Sequence, residues 1–261
     1  MLRTIKRVTL SALSILFISF LFWTLFLLNP SWSYANETHY EFVTVYHNEA
    51  LEANTEQVIK AAINIIKNSE LFDKDISIQL CMNDDAIYPN LHALVGDPLA
   101  YALLDKTIIK NCTISFDKNI AETKWPVNNY EYRKFDLTYL LAHEFSHNLQ
   151  FNADTKYVIK TTLGTLNWKL EGHAEYIARQ FKNDGQLKEK IAKYLEEAQK
   201  EHNGLPVFEL ADGTKQILSY FKNALVVQYL MEQKEMNFSQ VCALDKGLDE
   251  VYTEMIEWSK K

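Results

Sequence analysis

His143, Glu144 and His147 have the types and the spacing of a hydrolytic metal site. They lie in DLTYLLAHEFSHNLQF, residues 136–151, an apolar stretch that we predict to form one buried helix. Residues four apart share nearly one helix face, so both histidines can direct a ring nitrogen at a single point. Glu144 lies about 100° round the axis. There it can take a proton from a metal-activated water without binding the metal.

The same pentapeptide can also arise by accident, from ordinary core or surface residues. Its setting argues against that interpretation. Buried polar side chains are costly without partners, and three of them on one apolar helix need a ligand to explain them. A helical, apolar context is also what this motif requires.

A third ligand must come from elsewhere, because a catalytic zinc ion takes three protein ligands and leaves a fourth position for water. The stretch WKLEGHAEY, residues 168–176, offers Glu171 and Glu175, four residues apart on one predicted helix face. Gly172 is small enough to let this helix approach a neighbour closely. We expect His173 to be a surface or packing residue, since a fourth protein ligand would close the open position.

Together, HExxH and WxxEGxAEY resemble the gluzincin superfamily of zinc metallopeptidases, in particular the peptidase MA-like branch that includes bacterial collagenases. The resemblance covers residues 134–183 and extends more weakly to the C-terminal helices. It implies Zn²⁺ as the metal and Glu171 as its third ligand beside His143 and His147. The other glutamate, Glu175, would then be a nearby polar residue. On the residues alone, either glutamate can be the ligand.

The resemblance also implies an activity, which is hydrolysis of peptide bonds in peptide or protein substrates with Glu144 as general base. Related peptidases often carry a tyrosine at the start of a C-terminal helix, where its hydroxyl steadies the developing oxyanion. Tyr220 is the candidate here, and aromatic packing is the alternative role for it. The chain lacks the GxMEN-type motif that anchors a substrate amino terminus in many gluzincin aminopeptidases. This favours an endopeptidase.

Two other functions compete with an active peptidase. The first is a zinc-binding cell-envelope protein that keeps the peptidase fold without turnover. The presence of Glu144 argues against it, because a protein without catalytic activity has no chemical need for a base at that position. The second is a structural envelope protein with no metal, which requires the whole set of residues to be accidental.

Residues 1–35 read as a targeting segment. Three basic residues within the first seven precede a charge-free run over residues 8–28, which is long enough to span a bilayer. A small-x-small pattern ends at Ala35. The segment is therefore either a signal peptide cleaved near Ala35 or an uncleaved membrane anchor with its positive end in the cytoplasm. Either fate predicts an extracytoplasmic protein, secreted or membrane-anchored.

Charge bears on the class of partner. Residues 1–35 hold three of the 27 basic residues and none of the 34 acidic ones, so the remainder has 24 basic against 34 acidic residues and a net charge of −10. That sign argues against nucleic acid and against an anionic membrane surface as partners.

Residues 36–261 are predicted to form one α+β, zincin-like catalytic domain, with a small sheet lobe over about 36–125 and the zinc helices and a helical lobe over about 126–261. By the resemblance, the strand at 108–116 would line the cleft and pair with substrate backbone. A Cys81–Cys112 disulfide is one of the three pairings that three cysteines in an exported chain allow. The predicted strands are 40–47, 76–82 and 107–116, and the further helices are 50–68, 186–202, 213–234 and 238–258.

Overall fold

The computed structural model combines a sheet lobe with a helical region. Within the described part of the chain, no helix is both long and apolar enough to cross a membrane. Most of the apolar run predicted over residues 8–28 lies outside the described residues. The structure describes residues 29–82, 99–110, 112–123, 134–162, 167–180, 185–200, 206–209 and 215–261, with scattered positions between 13 and 25.

The described strands form three sheets. The largest has the order β1-β2-β3-β5-β4, with parallel pairing of β2 with β3 and of β3 with β5, and antiparallel pairing at both outer strands. The others are the antiparallel sheet β6-β7-β8 and the hairpin β9-β10. The strands are β1 (Asn36–Tyr40), β2 (Val43–His47), β3 (Ile78–Cys81), β4 (Ala100–Leu103), β5 (Lys106–Ile109), β6 (Cys112–Ser115), β7 (Ile120–Thr123), β8 (Lys134–Asp136), β9 (Val207–Glu209) and β10 (Lys215–Ile217).

The helices surround one long central helix, α2. It packs against α1 and the β4–β5 edge of the large sheet on one side and against α3 on the other, and α3 packs in turn on α5. A π-helical turn, Tyr229–Gln233, continues α5. The helices are α1 (Thr55–Ile66), α2 (Leu137–Thr162), α3 (Trp168–Arg179), α4 (Leu187–Ala198), α5 (Leu218–Gln228), α6 (Phe238–Ala243) and α7 (Leu248–Ser259).

The apolar pattern of α2 explains its central place. Leu141, Phe145 and Leu149 recur at helical spacing, and all three are fully buried in the core that α1, α2 and the large sheet share. A second core lies among α4, α5 and α7, and the partly buried Tyr176 of α3 contacts both cores. The polar residues of α2 are thus held between two packed regions.

The strand predicted over 40–47 is present as β2 (Val43–His47), but its first residues form the turn of a hairpin with β1. Glu41 has a φ of 55°, in the left-handed region, and this reverses the chain between β1 and β2. Its carboxylate pairs with Lys67 at 2.5 Å, which ties the turn to the end of α1. The alternating apolar pattern predicted strand character correctly and missed the turn, since glutamate is not a usual turn residue.

The strand predicted over 107–116 is divided into two strands, and its expected role of pairing with substrate is wrong only for the first of them. Its first half is β5 and its second half is β6, which belong to different sheets. Because β5 is paired with β3 on one edge and with β4 on the other, it cannot accept a substrate strand. Among the described strands, β4 is the outer strand of the large sheet at this end, and β6 is an outer strand of its own sheet.

Two C-terminal helix predictions also need correction. The segment predicted over 213–234 begins as strand β10, and α5 starts only at Leu218. The segment predicted over 238–258 is divided into α6 and α7, because Leu244 takes an extended conformation with ψ of 121°. The helices predicted at 50–68 and 186–202 are present as the shorter α1 and α4.

The predicted Cys81–Cys112 disulfide does not form. No disulfide joins any of the three cysteines, Cys81, Cys112 and Cys242. Cys81 packs with Tyr34 and Ile108 in a small buried cluster, whereas the thiol of Cys112 faces the Leu99 carbonyl at 3.6 Å. Strands β3 and β6 belong to different sheets, so the chain does not align the two side chains.

Candidate metal centre

Strand β8 leads directly into α2, and side chains hold that junction. The Asp136 carboxylate accepts from the backbone N–H of Tyr139 at 3.0 Å, which caps the helix. The Asn119 amide oxygen accepts from the backbone N–H of Thr138 at 2.9 Å. These bonds satisfy N–H groups at the helix start and fix where the first turn lies relative to the sheet lobe.

The predicted helix over 136–151 is confirmed and continues to Thr162, with one kink. At Asp154 the backbone leaves helical geometry (φ −152°, ψ 78°), and its carboxylate accepts from the N–H of Tyr157 at 2.9 Å. The HExxH residues all lie before this kink, in the straight part of the helix.

Helix α2 brings the two histidines together as their spacing predicts. The Nε2 atoms of His143 and His147 lie 3.1 Å apart, and one carboxylate oxygen of Glu171 lies 3.5 and 3.6 Å from them. Two ligands of a tetrahedral zinc ion with bonds of about 2.0–2.1 Å are separated by about 3.3 Å. The three ligand atoms therefore already have the mutual spacing that zinc requires.

The two candidate glutamates of α3 occupy different sides of His143. Glu171 reaches the Nε2 atoms of both histidines, whereas Glu175 lies 3.4 Å from Nδ1 on the far side of the His143 ring. The Glu175 contact has the distance of an ion pair without the alignment of a hydrogen bond. The other oxygen of Glu175 accepts from the hydroxyl of Tyr139. Only Glu171 of the two thus faces the point on which the histidines converge.

One comparison with known proteins bears on this geometry. The family model of the collagenases matches residues 119–258, a little over half of the chain, including both stretches that carry the candidate ligands. The chain belongs to the collagenase family. Collagenases of this family are zinc-dependent metallopeptidases, so the chain is a hydrolase of peptide or protein substrates. Comparisons with curated proteins and with solved structures returned no match.

The charged side chains of this collagenase-family site shift one another's pKa values. Burial by itself lowers the pKa of His143, but Glu171, Glu175 and Glu144 outweigh burial and raise that pKa to about 9. The pKa of His147 is raised in the same way, against burial, chiefly by Glu171. Burial raises the pKa of Glu171, yet the two histidines lower it overall, below its ordinary value. The carboxylates therefore favour the protonated form of both histidines, and the histidines favour the ionised form of Glu171.

Glu144 is buried beside this cluster, with 6 % of its surface exposed. Burial raises the pKa of its carboxyl, and the neighbouring glutamates 171 and 175 raise it further, while the two histidines lower it; the net shift is upward. A carboxyl whose pKa moves towards neutrality is suited to accept a proton and to release it again.

Tyr220, at the start of α5, also faces the site. Its ring centroid lies 6.0 Å from that of His143. Burial, assisted by the carboxylates of Glu171, Glu175 and Glu144, raises the pKa of its hydroxyl well above the ordinary value. The phenol therefore keeps its proton and can donate it in a hydrogen bond.

The sequence patterns did not single out Gln150 or Tyr139, both of which touch the candidate ligands and their neighbours. The Gln150 side chain contacts His147 and His173, and Tyr139 donates to Glu175. Helical spacing offers a signal for both residues, because one lies three positions after His147 and the other four positions before His143.

His173 packs as predicted. It is fully buried, its ring lies against Phe238 at 4.6 Å between centroids, and burial lowers its pKa to about 3. The close approach predicted for Gly172 is also present. A Cβ atom at this position would lie 2.5 Å from the Asn223 carbonyl oxygen and 2.7 Å from Val227 of α5. Glycine therefore lets α3 press against α5 while Glu171 faces α2.

Proposed function

We propose that this zinc metallopeptidase is an endopeptidase with a zincin-like catalytic domain, in which His143, His147 and Glu171 bind the zinc ion and Glu144 is the general base. One observation carries the proposal. Three ligand atoms from two helices converge at the spacing of a tetrahedral zinc site, with a buried carboxyl of raised pKa beside them. Glu171 lies 24 residues after His147 on a separate helix, so the spacing within one helix alone does not bring these three atoms together.

The residues divide the chemistry between them. Zinc bound here supplies a Lewis acid that polarises the scissile carbonyl and makes water a better nucleophile. Glu144 takes the proton of the attacking water and then gives it to the leaving amine. Glu175 lies 3.4 Å from Nδ1 of His143, where its charge favours the ring orientation that turns Nε2 towards the other ligands, and Tyr139 donates to the same carboxylate.

Tyr220 is the proposed donor to the oxyanion. Its position beside His143 and its retained proton support this role. Removal of one such donor costs about 10²–10³-fold in kcat in other hydrolases. Tyr220→Phe should therefore lower kcat by about that factor and leave zinc content unchanged. An unchanged kcat would indicate that Tyr220 only packs against its neighbours and does not stabilise the oxyanion.

We propose that the substrate backbone pairs with β4, the outer strand of the large sheet in the described part of the chain. Asn148, the residue after His147, ties the β4–β5 hairpin to α2. Its amide donates to the carbonyls of Leu104 at 2.9 Å and Lys106 at 3.1 Å, and its amide oxygen accepts from the Thr107 hydroxyl at 2.6 Å. An extended peptide on β4 would pass the ligands in a fixed register, which suits cleavage within a chain.

We also propose that the domain is exported, with residues 8–28 as an anchor or a cleaved signal. In support, Leu13, Ile15, Phe17 and Ile18 are apolar, and 60–66 % of each residue's surface is exposed. Cell fractionation and N-terminal sequencing of the mature protein test this. A soluble cytoplasmic protein that begins at Met1 would contradict export.

The function is tested with the purified full-length chain and an internally quenched peptide blocked at both ends. Only an endopeptidase cleaves such a peptide, since an aminopeptidase needs a free amino terminus. We expect one zinc per chain and cleavage by the wild type. Glu144→Gln should retain zinc and lose about 10²–10⁴-fold in kcat/KM, and Glu171→Ala should lose the metal.

Three results would contradict the proposal in different ways. Zinc without cleavage of this peptide or of denatured casein would favour the non-catalytic zinc protein. Cleavage of unblocked peptides alone would indicate an aminopeptidase. Full activity of Glu144→Gln would remove that residue from the mechanism, whatever the substrate.

A further inference from the structure

One buried amide links the two helices that carry the candidate ligands. Gln150 lies on α2 three residues after His147 and is fully buried. Its Oε1 atom lies 2.9 Å from Nδ1 of His147. Its Nε2 atom lies 2.9 Å from the carbonyl oxygen of Leu170 and 3.2 Å from Nδ1 of His173, both on α3.

These contacts determine which atom donates. The Leu170 carbonyl can only accept, so the amide nitrogen of Gln150 must face it and the amide oxygen must face His147. That oxygen can only accept, so Nδ1 of His147 carries the proton. In a neutral imidazole the other nitrogen, Nε2, is then unprotonated, and it is the nitrogen that faces Glu171.

The same amide connects the two helices beside the third ligand. Leu170 is the residue before Glu171, so one side chain holds the ring of one ligand and the backbone next to another. His173 takes the second amide proton, which leaves no donor of Gln150 unused. An amide that served only to fill space would not need all three of these partners.

We infer that Gln150 is a positioning residue of the zinc site. It holds His147 in the tautomer whose Nε2 can bind metal, and it fixes the distance between α2 and the start of α3. This inference rests on the ligand set proposed above and adds to it a residue outside the HExxH and WxxEGxAEY motifs.

Zinc affinity of the full-length protein tests the inference. The metal-free chain competes for zinc with a chromophoric chelator at fixed pH. Gln150→Met removes every hydrogen bond at nearly constant volume, and loss of such a supporting partner weakens metal binding by about 10–100-fold. Gln150→Glu keeps an acceptor for His147 but loses the donors to Leu170 and His173, so its Kd for zinc should lie between those of the wild type and Gln150→Met.

Asn148→Leu is the matched control. Asn148 is equally buried on the same helix and makes as many hydrogen bonds, but none of them reaches a ligand. It should lower the unfolding temperature and leave the Kd for zinc at the wild-type value. Equal Kd values for Gln150→Met, Asn148→Leu and wild type would overturn the inference, and so would an equal loss of affinity in both variants.

The wild-type chain gives a second test that does not depend on a variant that folds. Nitrogen-15 NMR of labelled histidine distinguishes the two tautomers. We expect His147 with a protonated Nδ1 and, after zinc is added, with metal on Nε2. Zinc on Nδ1 of His147 would overturn the inference. Failure of the ligand set itself would look different, because His147→Ala would then bind zinc as tightly as wild type.

Discussion

Helix α2 carries two sets of buried polar residues that differ in their partners. On one side, the paired face, Asn148 makes its hydrogen bonds within the protein: its amide donates to the carbonyls of Leu104 and Lys106, and its oxygen accepts from the Thr107 hydroxyl. On the metal face, His143 and His147 point ring nitrogens at each other and at a carboxylate. Burial is similar on both faces. The metal face therefore differs from the paired face in that nitrogen and oxygen atoms of three residues point at one place, and not in how deeply its side chains are buried.

Removal of zinc should have the largest effect on the free energy of unfolding, and this effect should depend on the metal face alone. A ligand that binds only the folded state at about 1,000 times its Kd stabilises it by about 4 kcal/mol. We expect this zinc-dependent increment in the wild type and in Asn148→Leu, and its loss in His143→Ala. Denaturant unfolding with and without chelator measures it. A zinc increment retained in His143→Ala would contradict the assignment of the metal face.

The paired face should instead contribute stability without metal. Asn148→Leu leaves the carbonyls of Leu104 and Lys106 and the hydroxyl of Thr107 without their partner, and buried groups of this kind cost about 1–3 kcal/mol each. Some relaxation is expected, so we predict a loss of about 2–4 kcal/mol in chelator. Urea unfolding checks this, and an unchanged midpoint would show that the hairpin is not held by this side chain.

The metal face depends on how closely α3 approaches α5. Gly172→Ala places a Cβ atom against the Asn223 carbonyl, and overpacking of this kind costs about 1–3 kcal/mol. Because Glu171 is adjacent, zinc affinity should fall as well. Gly247→Ala is the control, since a Cβ there meets nothing within 4 Å. Equal unfolding temperatures for the two variants would refute the close packing.

The pH dependence of zinc binding is the smallest expected effect for a single step, because one pH unit changes the affinity by about tenfold, or about 1.4 kcal/mol. The carboxylates raise the pKa of His143 in the metal-free site from 6.5 to about 9, against the effect of burial. Below that pKa, zinc must displace a proton, so affinity should rise by about tenfold per pH unit and level off above about 9. That proton stabilises the metal-free fold below pH 6.5, and the stabilisation is lost as pH rises to about 9. Competition titrations across this range measure the slope, and a flat profile would contradict it.

The sequence predicted much of the metal face, because spacing along a helix determines which side chains share a side. His143 and His147 meet for that reason, and the glycine that admits α3 was visible as a small residue beside Glu171. The family resemblance is confirmed by the match over residues 119–258. Each of these features depends on residues close together in sequence or on a short motif, so the sequence alone can reveal it.

The paired face and the sheet edges could not be predicted in this way. Asn148 acquires its role from Leu104 and Lys106, more than 40 residues earlier in the chain. The division of 107–116 between two sheets, and the turn at Glu41, also depend on tertiary pairing rather than on the apolar pattern. The roles assigned to Glu144, Tyr220 and the ligands themselves stay predictions.

The most direct test of the metal face is zinc K-edge X-ray absorption on the full-length protein. We predict one zinc per chain, bound to two imidazole nitrogens and to oxygen at about 2.0–2.2 Å. In His147→Ala the zinc content should fall, and any zinc that remains bound should show half the imidazole contribution; in Asn148→Leu both should match the wild type. A wild-type spectrum with sulfur ligands, or one that His147→Ala leaves unchanged, would contradict the account.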